Sequence, residues 1–165
     1  VSAAGARGGP SERALRIALA VVAVAGLAVA GYLTAVRAAG DDPACVIGGG
    51  CHTVQTSEYS ELAGIPVAWL GLAAYAALLG AALLAGPLGR TVGLFTALVG
   101  VGFSAYLTYL ELFVIDAICA WCVSSAVLIV IALVITVLRA RAGSAPPAEG
   151  PPSSPSKETA RAGRG

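Results

Sequence analysis

Four stretches of this chain are long and apolar enough to cross a bilayer, and this limits the available folds more than any other feature. A hydrocarbon core of roughly 30 Å takes about 20 helical residues to cross. Within it, each backbone N–H and C=O must find its partner inside the protein. The stretches are residues 14–36 (ALRIALAVVAVAGLAVAGYLTAV), 66–84, 91–112 and 117–138. Pro66 suits a first-turn position at the head of the second. The first has the basic flank of a signal peptide, but it exceeds a usual h-region and no small-residue cleavage site precedes the polar loop, so we read it as a retained span. A hydrophobic share of 58% with 12% charged residues agrees, as does a mean hydropathy of +0.85. The expected fold is an all-α membrane protein, a four-transmembrane-helix bundle with one large outer loop.

The charges set the expected orientation. Arg7, Arg13 and Arg16 precede the first span, Arg90 separates the second and third, and Arg139, Arg141, Lys157, Arg161 and Arg164 follow the fourth. Of the 10 basic residues, only Arg37 falls on the other side, together with Asp41, Asp42, Glu58, Glu61, Glu111 and Asp116. The excess of basic residues on cytoplasmic loops places both termini in the cytoplasm and every cysteine on the outer face of a cell membrane. No basic stripe interleaved with aromatics occurs, which argues against a nucleic-acid partner. Three regions are expected: a disordered cytoplasmic N-terminus over 1–13, a membrane domain over 14–139, and a disordered cytoplasmic tail over 140–165, rich in Pro, Gly and Ser. Within the outer loop, 37–65, Gly48–Gly50 imply mobility or a tight turn.

A repeat runs through the chain at an offset of 74 residues. It superimposes Gly26 on Gly100, Tyr32-Leu33-Thr34 on Tyr106-Leu107-Thr108, Asp42 on Asp116 and Cys45 on Cys119. One reading is a pair of span-then-cysteine units, each presenting a thiol at the outer edge; the other is coincidence in an Ala-, Gly- and Leu-rich sequence. The small residues Gly26, Ala30, Gly100 and Ser104 suit close helix packing either way.

The 4 cysteines form two pairs, Cys45 and Cys51 in the outer loop and Cys119-Ala120-Trp121-Cys122 at the mouth of the fourth span. All fall on the side where disulfides persist. A CxxC at a helix start has a physical use, because free N–H groups and the helix dipole stabilise a thiolate there. With Asp116 as N-cap, Cys119 and Cys122 would lie about 5 and 9 Å along the helix. The dithiol would then meet an aqueous thiol partner on one side and a lipid-soluble electron acceptor on the other. The loop pair would carry electrons between them by thiol–disulfide exchange. Static structural bridges in a non-enzymatic tetraspan scaffold are the competing reading. A zinc site of the cysteines with His52 is a third, disfavoured by the spacing and the location, so no metal is expected. His52, beside Cys51, either aids thiolate formation as an imidazolium or is simply solvated.

These features together resemble the bacterial vitamin K epoxide reductase family. The resemblance spans about residues 14–139 and rests on the order of four spans, a Cys-x₅-Cys loop pair, CHTVQTS with Ser57 six residues past Cys51, GIPVAWLGLAAY opening the second span and CxxC opening the fourth. The other four-span quinone-linked disulfide generator has the reverse order, with CxxC in the first loop. Many bacterial members carry a fused thioredoxin-like domain, whereas here a low-complexity tail follows the fourth span, so a stand-alone form with a separate partner is expected.

The resemblance implies a membrane enzyme that takes electrons from a secreted or periplasmic thioredoxin-like oxidase and passes them to a membrane quinone of the menaquinone or ubiquinone type, driving disulfide formation in exported proteins. It implies Cys122 as the thiol nearest the quinone, Cys119 as its disulfide partner, Cys51 as the thiol that attacks Cys119, and Cys45 as the one that exchanges with the protein partner. It also marks Ser57 as a hydroxyl near the active site. In the vertebrate enzymes an asparagine and a tyrosine hydrogen-bond the quinone; the matching positions here are Val67 and Ala126, which puts epoxide reduction in doubt. Trp69, Tyr75, Tyr106 and Trp121 either line the quinone pocket or anchor the spans at the interface.

Overall fold

A computed structural model of the protein describes residues 11–45 and 49–143. Most of the expected terminal tails, 1–10 and 144–165, lies outside the described residues, as does Gly48.

Helix α1, Glu12–Ala39, starts where the Ser11 hydroxyl accepts the Ala14 N–H and Glu12 meets the positive end of the dipole. It stops at Gly40, whose φ of 72° lets its own N–H reach the Arg37 carbonyl and the next N–H reach Val36. Helix α3 runs Val67–Leu83, α4 Pro87–Phe113 and α5 Ala120–Gly143. Helices α1 and α5 extend past the expected span ends to Glu12 and Gly143. Pro87 opens α4 at the position where a missing N–H costs nothing. Pro66 is the N-cap of α3, one residue outside its first turn. Helices α1, α4 and α5 have the length and hydropathy of membrane spans. Helix α3 has 17 residues and reaches only about 25 Å.

The loop between α1 and α3 is structured over most of its described residues. It holds a short helix α2, Cys51–Thr56, a single 3₁₀ turn at Glu58–Ser60, and a hairpin of β1, Glu61–Leu62, and β2, Ile65–Pro66. Ala63 and Gly64 both have positive φ, the requirement of the tight turn that joins so short a pair.

Each long helix packs on two neighbours, in the order α1–α3–α4–α5 around a closed bundle. The core is built of Leu19, Ala23, Ala30, Tyr75, Leu78, Ala82, Ala97, Ile129 and Ala132. Its small residues bring helix axes close. A side chain at Gly26 would overlap the Tyr75 ring, and a Cβ at Gly100 would lie 2.7 Å from Ile129. The two glycines related by the repeat therefore mark the same event, the crossing of a span by the one that follows it. Outward-facing Val21, Val24, Val127, Val130 and Val134 are exposed, a surface suited to lipid tails and ill suited to water.

The end of the bundle away from the cysteines is tied by arginine. Arg139 is completely buried and donates to the Ala81 and Leu84 carbonyls and to Glu12, while Arg16 donates to Ala82 and Leu83. These guanidinium groups satisfy the last carbonyls of α3. With these residues placed, the chain is an integral membrane protein of mostly helical structure.

Candidate functional site

Both cysteine pairs lie at the same end of the bundle. Cys45 and Cys51 are joined as a disulfide with their Cα atoms 5.9 Å apart, while Cys119 and Cys122 are free thiols. Cys51 and Cys119 are each fully buried.

The loop reaches the CxxC through two contacts that depend on particular residues. Gly50 lies against the chain entering α5, so close that a Cβ would sit 2.6 Å from the Ile118 carbonyl oxygen. Cys51 and Cys119 are each the next residue after that contact. On the Cys45 side, the Trp121 indole N–H donates to the Ala44 carbonyl at 3.0 Å, and the Ala44 N–H donates to the Tyr32 hydroxyl at 3.0 Å. The Tyr32 and Trp121 rings pack in a tilted arrangement with their centres 4.8 Å apart. Trp121 thus holds the loop in place and is not part of the cavity described below.

Asp116 does not cap the fourth span. It has a φ of 53° in the turn between α4 and α5, and the helix begins four residues later. Cys119 holds the capping position: its carbonyl accepts the Val123 N–H, and its sulfur accepts the Cys122 N–H at 3.4 Å. The sulfur takes the place of the usual capping oxygen, where free amides and the helix dipole favour negative charge. Cys122 is then about 4.5 Å further along the axis, so both sulfurs are shallower than expected. Just outside the span, the Cys119 thiol is held down at about 7, first by the hydrogen bond its sulfur takes from the Cys122 side chain; burial and the charge of Glu111 oppose this.

Glu111 is a residue that the sequence reading missed, having counted it only among the outer acids. It is 5% exposed, and its Oε2 accepts the Cys119 N–H at 3.1 Å. Glu111 and Cys122 line the wall of one cavity. The spacing of eight residues to Cys119 was visible in the sequence, but nothing marked Glu111 as turned inward.

Cys122 opens onto a cavity of about 450 Å³ lined by α1, α3, α4 and α5 and by the loop. The volume falls within the range of small-molecule sites. Its wall is mainly apolar, with Leu33, Val67, Leu70, Phe95, Phe103 and Ile129, and its polar groups include Gln55, Ser57, Tyr75, Glu111 and Ser125. The Tyr75 hydroxyl bonds Ser125 at both its carbonyl, 2.8 Å, and its hydroxyl, 3.0 Å. Of the expected quinone-adjacent residues, Ser57 and Val67 line this cavity. Trp69 and Ala126 do not: Trp69 is 56% exposed on the outer wall of α3, because the helical period carries it away from Val67 and Leu70. Tyr106 is likewise half exposed, on the outside of α4. His52 faces outward beside Asp42, at 3.4 Å.

Helical spans, a disulfide, and a free dithiol at the mouth of an apolar cavity define a membrane thiol-redox protein. The model of the vitamin K epoxide reductase family matches residues 17–137. The chain belongs to that family and is a membrane thiol oxidoreductase.

Proposed function

We propose that the protein passes two electrons from a thioredoxin-like dithiol protein, outside the cell membrane, to a membrane quinone of the menaquinone or ubiquinone type. The observation that carries this reading is the position of Cys122. It is the one cysteine on the wall of the intramembrane cavity, while Cys51 and Cys119 are buried behind it on the loop side.

Cys45 exchanges with the partner dithiol, which leaves as a disulfide. Cys51 then attacks Cys119 of the Cys119–Cys122 disulfide, freeing the Cys122 thiolate, and the transient Cys51–Cys119 bond resolves as Cys45 attacks Cys51. The loop disulfide is restored, and the CxxC now holds both electrons. That distribution, with loop pair bonded and CxxC free, is the one described above. Oxidation of the dithiol reduces quinone to quinol and re-forms Cys119–Cys122. The net change is protein dithiol plus quinone to protein disulfide plus quinol.

The apolar wall suits a quinone ring, and Gln55, Ser57 and the Tyr75–Ser125 pair offer hydrogen-bonding groups where Val67 and Ala126 offer none. The arginine-rich end of the bundle supports a cytoplasmic location for that end. Turnover in membranes, with a reduced thioredoxin-like protein and a short-chain quinone, tests the reading. Quinone reduction coupled to dithiol oxidation, abolished by Cys122→Ser, is expected. No turnover with any common quinone, together with cysteines that resist mild reductant, would support the static scaffold instead.

A further inference from the structure

Glu111 sits where two cavities meet. It lines the intramembrane cavity together with Cys122, and it also lines a more open depression formed by Gly49, Gly50, Asp116 and Ile118 at the outer end. A carboxyl buried at the end of a membrane span is costly unless something uses it. It accepts the Cys119 N–H and shares the cavity wall with Cys122, so it stands beside the dithiol that must lose protons when it is oxidised.

We propose that Glu111 is the proton carrier of the site, moving protons from the Cys122 thiol and from outer water into the cavity. This rests on the relay reading above. When the Cys119–Cys122 bond forms, two S–H bonds are lost, and two electrons and two protons are needed to make quinol from quinone. Glu111 as carboxylate takes the Cys122 proton and gives it to one quinone oxygen. The second proton is that of Cys119. When Cys119 is already ionised, its proton has gone to water, and Glu111 draws a replacement through the outer depression to the other oxygen. The carboxylate is regenerated after each transfer.

The titratable groups facing these two cavities, among the described residues, are Cys122, Tyr59 and Tyr75 on the inner one and Asp116 on the outer. Cys119 faces Glu111 through its amide. Helix α2 contributes the neutral Gln55, whose amide lies 4.0 Å from the Cys122 sulfur. Of these groups, Glu111 alone lines both cavities.

Glu111→Gln separates this role from a structural one, since the amide oxygen still accepts the Cys119 N–H but no longer carries a proton. The first readout needs no quinone: infrared difference spectra of the full chain in lipid, disulfide against dithiol. A carboxyl band that changes with the thiol state in wild type, and is lost in Glu111→Gln, is expected. The second is steady-state reduction of a short-chain quinone, expected to fall about 100-fold in Glu111→Gln and less in Glu111→Asp. Should Glu111→Gln fail to fold, the wild-type spectrum and Glu111→Asp still decide. No carboxyl change in wild type, or a Glu111→Gln turnover equal to wild type, overturns the proposal while leaving the relay intact. A carboxyl change without quinone reduction by wild type defeats the relay, and delivery to quinone with it.

Discussion

Trp121 and Tyr32 hold both backbone polar groups of Ala44 between them, the indole donating to its carbonyl and the phenol accepting its N–H, each at 3.0 Å. The two rings also pack against each other, so the tryptophan inside the CxxC fixes the residue that precedes Cys45. Two cysteines 74 positions apart are thereby kept in register by a side chain that takes no part in the exchange.

Trp121→Phe keeps an aromatic surface against Tyr32 and loses the indole donor. The expected cost is about 1 kcal/mol of local stability, confined to the segment around Ala44. Hydrogen exchange of the Ala44 amide checks this. Faster exchange there with an unchanged global unfolding midpoint is the expected result, and unchanged exchange would mean the bond contributes nothing.

Gly50→Ala places a methyl group against the Ile118 backbone. Backbone cannot rotate out of the way as a side chain can, so the loop must move. Overpacking of this kind costs about 1–3 kcal/mol, and it separates Cys51 from Cys119. With Cys45 and Cys122 replaced by serine, oxidation should trap a Cys51–Cys119 disulfide in the parent, at a yield lowered several-fold by Gly50→Ala.

The pH dependence follows from Cys119. Its thiol is held at about 7, below the ordinary value near 8.5, so thiolate predominates above about 7 and is lost as the pH falls through it. In a variant with Cys45 and Cys51 replaced by serine, ultraviolet thiolate absorbance should titrate with its first midpoint there. Adding Cys122→Ala removes the hydrogen bond that lowers it, and the midpoint should rise. Quinone reduction should weaken below the same pH, because Cys119 then needs a proton removed before it can close the disulfide.

Arg139→Met removes a buried guanidinium and leaves the Ala81 and Leu84 carbonyls and Glu12 without it. A loss of about 3 kcal/mol is expected, read as a lower unfolding midpoint in detergent. Arg139→Lys should recover only part, since one ammonium cannot reproduce the fork.

Val67→Trp should raise the quinone KM several-fold by filling the cavity, whereas Trp69→Ala should change it less than two-fold, because that ring faces outward. Equal effects of the two substitutions would contradict the assignment of the cavity wall.

Spans, cysteine pairs and the family resemblance were legible because bilayer thickness and cysteine spacing write themselves into runs and intervals of sequence. Gly26 and Gly100 were readable as packing positions for the same reason, since only small residues let helices approach. Three things depended on the tertiary structure. Asp116 looked like a cap three residues ahead of Cys119, yet the turn puts it at positive φ and gives the capping position to Cys119 itself. Trp69 and Val67 are two residues apart in a motif, but a helix turns about 100° per residue and sends them to different walls. Glu111 counts as one more outer acid until the return of the chain after Phe113 folds Cys119 back onto it. Local sequence determines where helices run and which residues carry thiols; which way a side chain faces, and what it meets there, is decided by how the four helices and the loop close on one another.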